Sequence, residues 1–276
     1  MFLASHGINA SYQTSGDGSL ADVLASAVFD LDATQSASYP GTGTTWANLV
    51  TAPADGSAQT AYDFFTGDGS TSTTYPTFTG SAGDAAAYWL FDGGDYFKLK
   101  SGTNTAFLNA LHKTTGGSDW AFVMAWYPPP EDGANDGLFD TRLTGTAEGI
   151  LIDHNNSERI THSQRGDTAL SNVAAVQIVT AETPYLVIVS HSHSTNQTRI
   201  WVNTTTAEEF SHTYNTTVDN ATNPAIIGSR TNGSANRIAN GGRVYEVAMF
   251  NEYFDNTKAA KIFAALEARH ARDYTP

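Results

Sequence analysis

The chain has 276 residues, 40% of them hydrophobic, with 24 glycines and no cysteine. That length suffices for one large β-sandwich core, and the missing thiols exclude disulfide staples and thiolate zinc sites. With 28 acidic against 14 basic side chains the formal charge is −14, a surface that repels phosphate backbones and excludes nucleic acid as a general partner.

Residues 1–27 are punctuated by Gly and Ser and carry only short apolar runs. They read either as a frayed terminus or as an arm that orders by docking on a partner, with Met1, Phe2, Leu3 and Ile8 as its apolar anchors. The segment lacks the basic start and sustained apolar run of a signal peptide, and no stretch approaches the ~20 apolar residues of a membrane span. Within it, 20–27 fits one or two helical turns.

From Val28 strand signals recur at short intervals. A strand at 28–32 runs into Tyr39-Pro40-Gly41-Thr42-Gly43 and then Trp46, and 67–83 reads as a long Ser/Thr/Gly-rich surface loop. Strands at 88–91 and 96–100 flank Asp92-Gly93-Gly94-Asp95, which has hairpin-turn chemistry. Residues 119–127 are apolar on both faces, which predicts a central strand, and Pro128-Pro129-Pro130 stops it. Further strands are predicted at 137–141, 149–153, 159–163 and 173–179. The pair 185–190 and 198–202 reads as a hairpin with Ile200 and Val202 on one face, Arg199 and Trp201 on the other. Strands at 225–228 and 242–251 complete the set.

The period then changes. Ala259, Ala260, Ile262, Phe263 and Leu266 form one helical stripe over 256–273, with Asp255 or Asn256 as N-cap and Arg269 and Arg272 in the final turns. Such a helix is expected to cover a sandwich edge.

Four places in this order resemble the laminin-G-like, concanavalin A-like jelly roll of tailed-bacteriophage structural proteins. They are 31–46, with its Leu-Asp-Ala start, Ser-Tyr-Pro-Gly turn and Thr-Thr-Trp; 88–97, similar to a Phe-Asp-Gly-x-x-Asp-Tyr motif; 185–203, ending Ile200-Trp201-Val202-Asn203; and Ile227-Gly228 followed by Gly242-Arg243-Val244-Tyr245-Glu246-Val247 and the closing helix. The segment between Trp46 and Tyr88 is longer than that pattern. The resemblance implies an all-β sandwich over 28–276 with a C-terminal helix at 256–273, preceded by a short N-terminal arm at 1–27 that the family pattern does not explain. It also implies a non-enzymatic virion protein. Its partners would be capsid or tail subunits, it would form a homo-oligomer, and capsid decoration is favoured over a tail receptor-binding or fibre component. Domains of this type often hold calcium at the sandwich rim, for which Asp92, Asp95, Asp136 and Asp153 are the loop candidates.

Retaining glucanases of this fold carry Glu-x-Asp-x-x-Glu on one strand, and no Glu here has Asp two residues later. Asp30 and Asp32 share a strand face, expected to be the polar outer face of an edge strand. His191 and His193 have metal-ligand spacing without a third ligand nearby in sequence, so they read as solvated turn histidines. Sugars stack on exposed aromatic rings, and Trp126, Tyr127, Trp201 and Tyr253 are the candidates for contacting host surface glycans. A free lectin and a divergent glycosidase remain as alternatives.

Overall fold

The computed structural model describes residues 20–130, 133–143, 147–165, 170–212, 219–221 and 223–274. The strands are β1 (Ala27–Asp32), β2 (Thr45–Trp46), β3 (Phe64–Thr66), β4 (Thr77–Thr79), β5 (Tyr88–Leu90), β6 (Phe97–Leu99), β7 (Trp120–Tyr127) and β8 (Asp136–Asp140). They continue with β9 (Gly149–His154), β10 (Ile160–Arg165), β11 (Leu170–Ala174), β12 (Tyr185–Ser192), β13 (Gln197–Val202), β14 (Glu208–Ser211), β15 (Ile226–Ile227) and β16 (Arg243–Phe250). Helices α1 (Leu20–Val23), α2 (Ala106–Ala110) and α3 (Asn256–His270) complete the described elements.

Two antiparallel sheets face one another. One runs β14-β13-β12-β7-β16-β5-β4, with β1 on the same edge of β16 as β5; the other runs β11-β10-β9-β8-β15-β6-β3-β2. This is the expected jelly-roll sandwich with its C-terminal helix. Strand parity decides the layers. Trp120, Phe122, Met124 and Trp126 of β7 fill the core between the sheets, joined by Trp46, Trp89, Phe97 and Phe139. Each such ring contributes on the order of 2–3 kcal/mol by leaving water.

The opposite face of β7 offers Ala121, Val123 and Ala125 to a second core beneath α3. Ala259, Ile262, Phe263 and Leu266 of the helix pack there, with Val23 from the N-terminal side. The Asp255 carboxylate caps the helix by accepting the Lys258 amide at 2.7 Å, and Ala271 ends it in the left-handed region at φ 47°. The helix therefore lies across a sheet face, where the expectation was an edge. The small side chains of β7 leave room for it.

Three other expectations are corrected. Residues 92–95 do not close a hairpin, because β5 pairs with β4 and β16 while β6 pairs with β3 and β15 in the other sheet. Asp92 Oδ1 accepts the Gly94 amide at 2.7 Å and Asp95 Oδ2 accepts the Asp92 amide at 2.9 Å, folding a turn that carries the chain between sheets. The strand placed at 173–179 is β11, ending at Ala174. The loop at 67–83 contains β4, the last strand of its sheet. Among the described residues no helix is long and apolar enough to cross a membrane.

Candidate functional site

Three connections converge at the start of β7: the segment before Trp120, the β12–β13 turn and the β16–α3 loop. They form a depression of about 700 Å³ lined by Ser118, Asp119, His193, Ser194, Asn251, Glu252 and Tyr253. Its geometry is fixed from below. Asp119 Oδ1 accepts the His193 amide at 2.7 Å, and His193 Nδ1 lies 3.0 Å from the Lys113 carbonyl, so that nitrogen carries the proton and Nε2 is left as an acceptor. Glu252 is held by Lys258 Nζ at 3.1 Å and by the Ser26 hydroxyl. The Arg199 guanidinium lies 4.7 Å from the Tyr253 ring centroid, and the enclosed Tyr253 hydroxyl has no hydrogen-bond partner among the described residues.

The four aromatic candidates separate sharply. Tyr253 lines the depression. Trp126 and Trp201 are both 0% exposed and unable to stack a sugar. The first lies between the sheets; the second lies under α3 and donates to Asn256 Oδ1 at 2.9 Å. Tyr127 is half-buried against Arg243 at the far end of β7, roughly 24 Å from the depression at ~3.4 Å per residue.

The four aspartates proposed for calcium are engaged by protein groups. Asp92 and Asp95 close the turn described above, and burial raises the Asp95 pKa to about 6. Asp136 accepts the Ala239 amide at 3.0 Å and meets His154 Nδ1 at 3.2 Å. Asp153 pairs with Arg230 and Thr161. Among the described residues, none of the four belongs to a cluster of three or more His, Asp or Glu side chains gathered closely enough to share an ion. The docking residues Met1, Phe2, Leu3 and Ile8 lie outside the described residues. The segment from Val23 onward is seated in the second core.

Two buried polar clusters were not anticipated. Asp30 and Asp32 lie on the outer face of β1, opposite Phe29 and Leu31 of the core, but the end of α3 covers that face and leaves both 0% exposed. Arg269 Nη1 lies 3.0 Å from Asp30 Oδ2 and 2.9 Å from Glu246 Oε1, and its Nε lies 3.3 Å from Asp32 Oδ2. His270 Nε2 meets Glu246 Oε2 at 2.9 Å. Burial opposes ionisation of Glu246, but Arg269 and then His270 outweigh it and hold the carboxyl near 2. A hydrolytic carboxyl pair needs room for substrate and water. This pair has neither, which removes the two aspartates as glycosidase candidates.

The second cluster joins the sheets. His162 of β10, His191 of β12 and His212 after β14 surround Thr198, whose hydroxyl oxygen lies 3.0, 3.1 and 2.9 Å from His162 Nδ1, His191 Nδ1 and His212 Nε2. Gln164 Nε2 lies 2.8 Å from His191 Nδ1, and Ser171 Oγ lies 2.9 Å from His212 Nδ1. Burial, reinforced by the neighbouring imidazoles, pushes the His162 and His191 pKa values well down, and burial lowers His212 to about 4. His191 is thus a core residue, while His193, one residue beyond β12, turns out to the depression. Parity carried the signal: His191 is in phase with Val187 and Val189, His162 with Ile160, and Thr198 with Ile200, all of them core residues.

No protein-family model matches the chain, and no curated protein matches its sequence. Solved structures do match in shape. The CBM40 of the Ruminococcus gnavus IT-sialidase superposes with a TM-score of 0.51 at 10% identity, covering 63% of this chain and 95% of that one. The binding domain of Botulinum Neurotoxin DC in complex with SialylT gives 0.57 at 8%, covering 88% of this chain and 52% of that one. The Trypanosoma rangeli sialidase in complex with sialic acid gives 0.54 at 10%, covering 88% of this chain and 33% of that one. What is shared is the fold. The chain spans about half of the neurotoxin domain and a third of the sialidase.

Proposed function

We propose that this chain is a non-enzymatic, glycan-binding jelly roll displayed on a bacteriophage virion. The observation that carries the binding half is the depression at Tyr253. It combines the Tyr253 ring with Asp119, Glu252, Asn251, Ser118 and His193 Nε2. Carbohydrate recognition uses that mixture: a ring edge or face against the sugar's C–H groups, and acceptors for its hydroxyls. Structures of the same fold support the reading, among them the CBM40 bound to alpha2,3 sialyllactose.

The electrostatics favour neutral sugars. A sialic acid carboxylate would face Asp119 and Glu252, and the nearby Arg199 is committed to Glu209 at 2.7 Å and to the Phe254 carbonyl at 3.1 Å. Titration calorimetry with neutral oligosaccharides and with sialyllactose tests this. Binding of a neutral glycan that Tyr253→Ala weakens at least tenfold is the expected result. Preference for sialyllactose would overturn the electrostatic argument, and binding unaffected by Tyr253→Ala would move the site elsewhere.

The virion half is supported by the four motifs over residues 28–273, whose order and spacing resemble the phage jelly rolls. In this reading residues 1–19 attach the sandwich to capsid or tail subunits, and several copies assemble around a symmetry axis. Capsid decoration is the favoured station.

A further inference from the structure

Imidazoles in a sandwich core are costly unless something satisfies them. Here two come from separate strands and the third from the residue after β14, at 0%, 1% and 5% exposure for His162, His191 and His212, and their ligand atoms all lie within 4.8 Å of one another. One nitrogen from each points at a single centre, the Thr198 oxygen, at 2.9–3.1 Å. A hydroxyl donates one hydrogen bond and accepts two, so Thr198 is saturated by them. The protein still leaves His162 Nε2 and Gln164 Oε1 enclosed without a partner, and the Gln164 Nε2 contact to His191 Nδ1 at 2.8 Å is one that an ion would replace. We propose that His162, His191 and His212 bind one zinc-class divalent ion, with the Thr198 hydroxyl as the oxygen donor beside it.

The donor set fits that ion. Imidazole nitrogens suit zinc and its transition-metal neighbours, whereas calcium takes oxygen ligands. Zinc–nitrogen bonds of about 2.0–2.1 Å place three nitrogens roughly 3.4 Å apart. Each ring must therefore move inward by on the order of 1 Å from its present contact with Thr198. The Ser171 hydroxyl on His212 Nδ1 already orients that ring with Nε2 toward the centre, as an outer-shell partner does. The other cluster capable of holding an ion, Asp32–Glu246–His270, has its charge already supplied by Arg269. Being enclosed, the histidine site is structural: it ties β10 of one sheet to β12 and the end of β14 in the other.

The test uses the untagged full-length chain, unfolded and refolded with EDTA or with zinc or cobalt(II) chloride, then desalted. One retained equivalent is expected, with visible cobalt bands and a Tm about 5 °C or more above that of the EDTA-refolded protein. His162→Gln and His212→Gln should each retain less than a tenth of an equivalent. Less than a tenth retained by the unaltered chain overturns the proposal, and so does full retention by both variants. Should the variants fail to fold, ring NMR of the unaltered chain decides. Zinc must shift the signals of these three among its 8 histidines, and shifts confined to the others overturn the site.

Discussion

His270 is the side chain whose protonation the fold controls most directly. Its Nε2 lies 2.9 Å from Glu246 and 3.8 Å from Asp32, and its Nδ1 meets the Tyr274 hydroxyl at 2.9 Å. Burial alone would strip the proton, but the Asp32 and Glu246 carboxylates beside Nε2 outweigh it and raise the pKa to about 9 from 6.5. Three carboxyls here face two cations, and burial followed by repulsion from Glu246 drives the Asp30 pKa up against the pull of Arg269. A raised histidine pKa means the folded chain holds its proton more tightly than the unfolded one. That stabilisation is complete below pH 6.5 and disappears as pH rises through about 9. It amounts to on the order of 3 kcal/mol. Urea midpoints should therefore fall between pH 6.5 and 9.5, and His270→Gln should start lower and flatten that fall. A variant with an unchanged slope would place the titrating group elsewhere. None of this was legible in the chain, because Asp30 and Arg269 stand 239 residues apart and sequence registers their polarity but not their pairing.

At the level of elements, α3 is the part whose seat can be tested separately from its existence. Its apolar stripe and Asp255 cap are local features, so a 3.6-residue period revealed both. Its position depends on the outward parity of β7, where Ala121, Val123 and Ala125 make a shallow floor. If the helix is part of one cooperative unit, Phe263→Ala opens a cavity and costs about 3–4 kcal/mol in chemical denaturation. Asp255→Ala removes only a cap and costs about 1 kcal/mol. A Phe263→Ala cost below 1 kcal/mol would show α3 opening independently of the sheets. The misread turn at 92–95 teaches the converse. Asp-Gly chemistry reports that the chain reverses locally and is silent on whether the next strand joins the same sheet or the facing one. The site suffered similarly: Tyr253 was visible as one aromatic among four, while Asp119, His193 and Glu252 reach it only through three connections that the sandwich brings to one end.

For the whole molecule, the question is whether binding and attachment are separable. The second core takes in Val23, and the depression is lined by residues from 117 onward, so in the proposed reading sugar binding falls to the sandwich and attachment to residues 1–19. If the two roles are separable as proposed, deleting 1–19 leaves the Tm within about 2 °C and glycan affinity within about twofold. The same deletion should abolish incorporation into particles, measured by mass spectrometry of purified virions carrying the truncated gene. Particles at full occupancy would refute the arm as the attachment device while leaving the sugar site intact. Loss of glycan binding with incorporation preserved would reverse the assignment of roles. Gold-labelled antibody against the sandwich, applied to intact particles, then chooses the station. Label spread over the head follows from capsid decoration, and label confined to the tail tip follows from receptor binding. With a net charge of −14 on each copy, neighbouring sandwiches repel one another, so clustering around an axis has to come from the attachment segment or from the subunits beneath it. The truncated protein should accordingly run as a monomer in light scattering where the full chain forms an oligomer.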